Sequence, residues 1–192
     1  MTVGRTTPGR PTPAERLAAL EAELAIPELA ARYAAAVDGR DLNALVQLFA
    51  EDVDCGTWGV GRAALHAFYA EVLQGFYRSI HHLGGQTIEI VDAEHARGEV
   101  YCRAEHEVAG RWIVALMCYH DDYERRDGDW FFRKRRPFAW SAADWLERPS
   151  GPEFFKWENH RPAALPGRFA SWRTFWDAAG SDAERAVTTA PR

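Results

Sequence analysis

The sequence has little that would place the chain in a membrane, on a nucleic acid or in an oxidising compartment. No apolar run approaches the roughly 18 residues that a membrane-spanning helix needs. The net charge of −5 offers no basic footprint for nucleic acid. The three cysteines form no CxxC pattern, and an odd number at wide spacing fits reduced thiols. We therefore expect a cytoplasmic protein with neither a membrane nor a nucleic-acid partner.

The two ends of the chain differ in composition from its middle. Residues 1–12 are polar and lack the apolar core of a signal peptide, so a disordered leader is expected there. Residues 13–140 carry regular hydrophobic patterns and are expected to form one domain. Residues 141–180 are rich in tryptophan, proline and glycine, which favours a lid over a cavity or an oligomer contact. Residues 181–192 are expected to be a disordered tail.

Helical periodicity dominates the first part of the domain. The capping box TPAE predicts a helix that begins at Pro13. Pro27 is expected to interrupt this helix and to open a second one that ends at Asp38. Gly39 then serves as the expected left-handed stop residue, and Asp41 is a good N-cap for the following segment. Two more helices are predicted, over residues 42–49 and 62–76.

After residue 80 the apolar period changes from about four residues to two, which is typical of strands with one buried face. In the run EVYCRAEHEV, one such face consists of Val100, Cys102, Ala104, His106 and Val108. The Asp-Gly pair in DGDWFFRKRRPFAW predicts a hairpin turn and a returning strand. Helices followed by an antiparallel meander indicate an α+β fold, with the helices packed on one face of a curved antiparallel sheet.

Two histidines are predicted to face the interior of this sheet. His106 lies on the apolar face just described. His82 has the same parity as Ile88, so an unbroken strand would place both on one face. A bulge at Gly84 and Gly85 would reverse that parity. An imidazole on an apolar face needs a hydrogen-bond partner, so two such rings favour a polar site in an apolar pocket.

Asp38 is the natural partner for an inward histidine. A carboxylate in the last turn of a helix is electrostatically disfavoured, and capping does not require one at this position. Beside Nδ1 of His82 it would fix the tautomer and stabilise the imidazolium, making the pair a proton-abstracting dyad. Tyr33 faces inward by helical spacing, and Tyr33 and His106 are candidate hydrogen-bond donors to an oxygen that gains charge. Tyr33 and Asp38 are about 140° apart around an ideal helix, so they converge only near its end.

Other polar residues are interpreted as structural. His81 is expected to point away from His82, as a packing or surface residue. Residues 120–122, His-Asp-Asp, are consecutive and cannot share one strand face, so no metal site is expected. Arg133 and Arg135 alternate on one strand and are expected to lie on a solvated face.

Three runs resemble a known family. RYAAAVDGRDLNALVQLFAEDV, HHLGGQTIEIVDAEHARGEVYCRAEHEV and CYHDDYERRDGDWFFRKRRPF are similar to the SnoaL-like branch of the nuclear transport factor 2 superfamily, over residues 14–140. This resemblance implies the nuclear transport factor 2-like, or cystatin-like, fold, in which a cone-shaped curved antiparallel sheet wraps around N-terminal helices and encloses a pocket. Within the family the sequence is similar to scytalone dehydratase, hexachlorocyclohexane dehydrochlorinase and bile acid 7α-dehydratase. These are lyases that use a His–Asp pair and no cofactor.

The resemblance also implies site residues. Asp38 falls on the family's helix-end aspartate and His82 on the histidine that begins the long strand. Tyr33 matches a tyrosine of the bile acid enzyme, and His106 falls at or within one residue of the second histidine of scytalone dehydratase. Those four are the expected catalytic residues. The substrate pocket is expected to be lined by Val37, Trp58, Tyr69, Gln86, Cys102 and Tyr119. For Tyr69 and Tyr119 two roles stay open, lining the pocket or filling it.

The expected function is a cofactor-independent lyase of the dehydratase type. In this interpretation His82, oriented by Asp38, removes a proton from a hydrophobic cyclic or polyketide-like small molecule of secondary metabolism, and Tyr33 or His106 assists the departing hydroxyl. Two alternatives stay open. One is an isomerase or polyketide cyclase with the same dyad, and the other is a non-catalytic small-molecule-binding module. A homodimer or homotrimer is expected, and neither a metal nor a cofactor.

Overall fold

Helices come first and a single sheet follows, as predicted. The computed structural model describes residue 10 and residues 12–146. The helices are α1 (Pro13–Asp38), α2 (Leu42–Gln47) and α3 (Arg62–Val72), with short 3₁₀ turns at Gly56–Trp58 and Leu73–Gly75. The strands are β1 (Ser79–Ile90), β2 (His95–Val108), β3 (Arg111–Arg126) and β4 (Asp129–Asp144). They pair in sequence order as one four-stranded antiparallel sheet that curves without closing, so the predicted α+β class is confirmed.

Strand β4 continues to Asp144, four residues past the predicted end of the domain. The leader, apart from residues 10 and 12, lies outside the described residues, and so do the tail over 181–192 and all but the first six residues of the Trp-rich segment. Within the described part of the chain, no helix combines the length and the apolar character needed to cross a bilayer.

Helix α1 is one continuous helix of 26 residues, so the prediction that Pro27 opens a second helix is wrong. A proline in a helix interior removes one backbone hydrogen bond and crowds the preceding turn. Burial outweighs that cost here, because Ile26 and Leu29 on either side of the proline are 0% and 4% exposed. The predicted capping box is confirmed, since the Glu15 backbone N–H donates to Oγ1 of Thr12 and the Thr12 N–H donates to the Glu15 carboxylate.

The end of α1 differs from the prediction by one residue. Gly39 has right-handed dihedral angles, and Arg40 takes the left-handed conformation, with φ of 58°. The N–H groups of Arg40 and Asp41 donate to the carbonyls of Val37 and Ala36, which is the paired hydrogen-bond pattern of a Schellman cap. Asp41 then caps α2 as predicted, accepting a hydrogen bond from a backbone N–H of the first turn. An arginine therefore occupies a position that usually belongs to glycine.

The buried face of α1 lies against the concave face of the sheet. The shared core contains these residues of α1: Ala22, Ile26, Leu29, Ala30, Tyr33, Ala36 and Val37. The sheet contributes Val100, Cys102, Ala104, Tyr119, Tyr123 and Phe132. The predicted apolar face of β2 is thus confirmed, and His106 on that face is 4% exposed.

A bulge divides β1 into two halves of opposite parity. Leu83 pairs with Cys102, whereas Gln86 pairs with Val100, so β1 holds one residue more than β2 between these pairs. The irregularity spans the Gly-Gly dipeptide, where glycine tolerates the altered backbone. Residues of odd number face the interior before this bulge, and residues of even number do so after it. The position of every side chain at the start of β1 follows from this one insertion.

Candidate active site

Asp38 contacts His81, and the predicted pairing with His82 is wrong. The Nδ1 atom of His81 lies 2.7 Å from Oδ1 of Asp38, and the His81 backbone N–H donates to Oδ2 at 2.8 Å. The His81 side chain is 5% exposed. The helix-end acid and the first strand therefore meet as predicted, but through the adjacent histidine.

His82 points to the opposite face of the sheet. Its side chain is 58% exposed, and its Nε2 atom lies 3.9 Å from Oε1 of Glu105. The prediction assumed that parity carries through from Ile88, and the bulge in β1 reverses it. For the same reason the prediction that His81 is a packing or surface residue pointing away from the interior is wrong.

The Asp38 carboxylate is held by three hydrogen bonds. Besides the two from His81, it accepts one from the hydroxyl of Ser79, with Oγ 2.9 Å from Oδ1. Burial acts to raise the pKa of the Asp38 carboxyl, but the hydrogen bonds from His81 and Ser79 outweigh it and hold this pKa below the ordinary value. An ionised carboxylate only accepts hydrogen bonds, so the neutral His81 ring carries its proton on Nδ1. The lone pair then lies on Nε2, which makes that atom a base.

Tyr33 and His106, two of the expected catalytic residues, lie close to the His81 ring. The ring centroids of Tyr33 and His106 are 6.3 Å and 5.9 Å from that of His81, both edge-on. The hydroxyl of Tyr69 is 3.2 Å from that of Tyr33. Burial raises the pKa of Tyr33, so its phenol is neutral and can donate a proton or a hydrogen bond. Tyr33 and Asp38 converge despite their angular separation because His81 lies against both.

Arg135 is buried, so the prediction that it lies on a solvated face is wrong. Its side chain is 2% exposed, and its guanidinium lies 3.2 Å from the fully buried carboxylate of Asp121. The guanidinium carbon is 4.3 Å and 4.1 Å from the ring centroids of Tyr33 and Tyr119. None of its nitrogens has a hydrogen-bond partner among the described residues. The Arg135 guanidinium, with N–H donors that no described residue accepts from, therefore lies next to the Tyr33 ring of the site.

The misplacement of Arg135 again follows from a bulge. Asp122 pairs with Lys134, whereas Tyr123 pairs with Phe132, so Arg133 is an extra residue in β4. Phe132 faces inward before the insertion and Arg135 after it. Arg133 itself points outward and binds Asp52 at 2.8 Å. No glycine or proline lies at this bulge. The run RKRR, which follows the apolar residues WFF, is the one sequence feature that coincides with it.

Asp121 gives the fold a specific pH dependence. Burial raises the pKa of its carboxyl to about 6, although Arg135 and a hydrogen bond from Tyr123 oppose the rise. The folded protein then binds a proton more tightly than the unfolded chain, whose aspartate pKa is about 3.9. We expect this group to lower the free energy of unfolding as the pH rises from about 4 to about 6, because the folded state must give up that proton.

Urea unfolding of the wild type and of Asp121→Asn across that pH range measures the effect. The slope should be shallower for Asp121→Asn, because that variant has no carboxyl at this position to bind the proton. Identical slopes for the wild type and Asp121→Asn would contradict the expectation.

The six predicted pocket residues are unequally placed. Val37, Cys102 and Tyr119 are buried in the common core, and Tyr69 packs against it. Gln86 donates to the hydroxyl of Tyr123 at 3.2 Å. Trp58 is 38% exposed and packs against Phe68. That these residues line a substrate pocket stays a prediction.

The Cys102 thiol is not suited to act as a nucleophile. Burial raises the pKa of the Cys102 thiol to about 12, so it is protonated and a poor nucleophile at neutral pH. Within residues 12–146, no three His, Cys, Asp or Glu side chains cluster in a way that could hold a metal ion.

The site combines a helix-end acid, an inward histidine and tyrosine hydroxyls inside a cone of helix and curved sheet. Helices followed by a curved, unclosed four-stranded antiparallel sheet form the nuclear transport factor 2-like fold, whose structural neighbours include cystatin-like folds. The family model for the SnoaL-like domain matches residues 18–136, and the chain belongs to this family. A search of curated proteins finds no match.

Solved structures agree with this assignment. LinA, a hexachlorocyclohexane dehydrochlorinase, is 25% identical, with a TM-score of 0.62 over 71% of this chain and 98% of its own. A scytalone dehydratase-like protein from Novosphingobium aromaticivorans is 22% identical, with a TM-score of 0.60 over 69% and 93%. A protein from the same organism with a cystatin-like fold is 25% identical, with a TM-score of 0.55 over 66% and 87%. These likenesses establish the fold.

Proposed function

We propose that this protein is a cofactor-independent lyase of the dehydratase type, with His81 as its general base. The observation that carries the proposal is the 2.7 Å contact between Asp38 and Nδ1 of His81 in an apolar interior. It leaves Nε2 as the basic atom, and the adjacent carboxylate stabilises the imidazolium that forms when this atom takes a proton. The names of two structural neighbours, a dehydrochlorinase and a scytalone dehydratase-like protein, support an elimination reaction.

The proposed reaction is loss of water across a carbon–carbon bond. Nε2 of His81 takes a proton from the carbon next to a carbonyl, and the electron pair of that C–H bond forms the new double bond. The hydroxyl on the adjacent carbon leaves with its bonding pair and receives a proton from Tyr33 or His106, departing as water. Arg135 stabilises negative charge that develops on the substrate in the transition state, because its donors lie in a low-dielectric interior.

The substrate we propose is a hydrophobic, cyclic or polyketide-like hydroxy ketone. Tyr33, which contacts the His81 ring, is itself surrounded by the aromatic rings of Phe49, Tyr69, Tyr119 and Phe132. Aromatic side chains of this kind favour planar apolar molecules as ligands and leave few polar groups near the bound molecule. The polar groups that remain are those needed to accept and donate protons.

Incubation with a panel of cyclic β-hydroxy ketones in deuterated water tests the proposal. We expect products that have lost one water, seen by mass spectrometry, and a vinyl proton signal in the NMR spectrum. A product of unchanged mass with a moved double bond or a new ring would support an isomerase or cyclase instead. Saturable binding with neither turnover nor exchange of the α-proton for deuterium would support a binding module and overturn the lyase.

A further inference from the structure

Arg40 folds back from its left-handed position onto the end of α1. Its Nη1 atom donates to the Val37 carbonyl at 2.7 Å and to Oγ of Ser79 at 2.9 Å. Its Nη2 atom donates to the Phe76 carbonyl at 3.2 Å. One guanidinium thus joins the C-terminus of the helix to the segment that leads into β1. The unfavourable left-handed backbone of a non-glycine residue persists where such surrounding contacts hold it.

The direction of the hydrogen bonds around Ser79 is determined by chemistry. A guanidinium only donates, so the oxygen of Ser79 accepts from Arg40. The single hydroxyl hydrogen of Ser79 is then left for Oδ1 of Asp38, 2.9 Å away. Ser79 is 4% exposed, so water does not compete for that hydrogen. The chain of donors runs from Arg40 through Ser79 to Asp38.

Asp38 receives this chain on the same oxygen that faces the imidazole. Oδ1 accepts from both Ser79 and Nδ1 of His81, and Oδ2 accepts from the His81 backbone. Rotation of the carboxylate would break the bond from Ser79 and the bond to the ring together. The hydroxyl of Ser79 therefore determines which oxygen, at which angle, meets Nδ1.

Arg40 also lies behind the second histidine. Its guanidinium carbon is 5.3 Å from the centroid of the Phe76 ring. The Phe76 and His106 rings pack in a T-shaped arrangement with their centroids 4.7 Å apart. The same cation thus supports His81 through Ser79 and Asp38, and His106 through Phe76.

We propose that Arg40 and Ser79 are positioning residues that lock the Asp38 carboxylate onto Nδ1 of His81 and thereby hold the basic lone pair on Nε2. The catalytic consequence rests on the proposed function, but the hydrogen-bond chain itself does not. Neither residue touches the expected reacting atoms.

The state of the His81 ring in ¹⁵N-labelled protein tests the proposal without a substrate. At about pH 9, well above the pKa of histidine in model peptides, ¹⁵N shifts of the ring report which nitrogen carries the proton. We expect a single tautomer protonated on Nδ1 in the wild type. In Ser79→Ala and in Arg40→Asn, which keeps a residue tolerant of the left-handed backbone, the other tautomer should appear and Nδ1–H exchange with water should quicken at least about tenfold.

Two controls separate positioning from loss of structure. Arg32→Asn removes an exposed arginine of α1 and should leave the ring signals unchanged. Ser79→Thr keeps the hydroxyl and should restore the single tautomer, which a merely structural defect at residue 79 would not allow. If Arg40→Asn does not fold, the Ser79 pair decides. An unchanged tautomer and exchange rate in Ser79→Ala would overturn the proposal.

Turnover distinguishes this proposal from the proposed function. If both hold, Ser79→Ala lowers kcat about tenfold with little change in KM, and Ser79→Thr recovers it. If His81→Gln keeps full turnover, the lyase proposal fails, while the tautomer result still stands or falls on its own.

Discussion

His81→Gln is expected to lower turnover by about 10²–10⁴-fold, whereas His82→Gln should leave turnover within about twofold of the wild type. Glutamine keeps polar atoms near Asp38 but has no basic nitrogen to take a proton. His82 lies on the outer face of the sheet, 58% exposed, and its loss removes nothing from the interior. The two variants differ by one position in the sequence and carry the same substitution, so each serves as the control for the other.

Steady-state kinetics on a substrate found in the hydroxy ketone panel measure this difference, with thermal unfolding to show that both variants fold. A large loss in His82→Gln with full activity in His81→Gln would mean that the bulge in β1 lies elsewhere and that the parity of the first strand is reversed. Full activity in both variants would show that neither histidine acts as the general base.

At a pH well above 6, where Asp121 is ionised, Asp121→Asn and Arg135→Met are each expected to lower the free energy of unfolding by about 3–5 kcal/mol, because each leaves the other group buried without its partner. The pair lies 3.2 Å apart, and its side chains are 0% and 2% exposed. The double variant should lose less than the sum of the two, by about 1–3 kcal/mol, because it leaves no uncompensated charge. Exposed ion pairs show a much smaller coupling free energy, because solvent screens the charge that is left.

Urea unfolding of the four proteins of this cycle measures the coupling. Asp52 and Arg133 provide the matched control, since Arg133 is two residues from Arg135 but its pair is 55% and 40% exposed. A cycle on that pair should give a coupling of at most about 1 kcal/mol. Strict additivity at Asp121 and Arg135 would show that the two buried charges do not stabilise one another.

The elements of this fold could be predicted because local patterns and the final packing agree. The capping box, the helical apolar stripe of α1 and the alternation along β2 each describe a face that the tertiary structure does bury. Asp38 was identified because it has no structural duty in a helix end, and its contact with a histidine at the start of β1 explains its presence. The helix break predicted at Pro27 is wrong, because propensity alone gives no weight to the burial that keeps α1 whole.

The faces of β1 and β4 could not be predicted in the same way. A single inserted residue moves the side chains that follow it to the opposite face of the sheet, and the amino-acid composition of the strand does not show where the insertion lies. In β1 this exchanged His82 for His81, with only a Gly-Gly pair as a hint. In β4 it turned Arg135 from solvent toward the tyrosines, with no glycine or proline to mark the position.

The sequence by itself determined the α+β class of fold, the start of α1 and the order of helices before strands, and it predicted an acid at the end of α1 close to a histidine at the start of the sheet. Those properties depend on neighbours along the chain, which periodicity and capping record. Only the tertiary structure decided which histidine meets Asp38 and that Arg135 is buried beside Asp121. Both depend on pairing between strands, where the register is set by the packing of the whole sheet around α1.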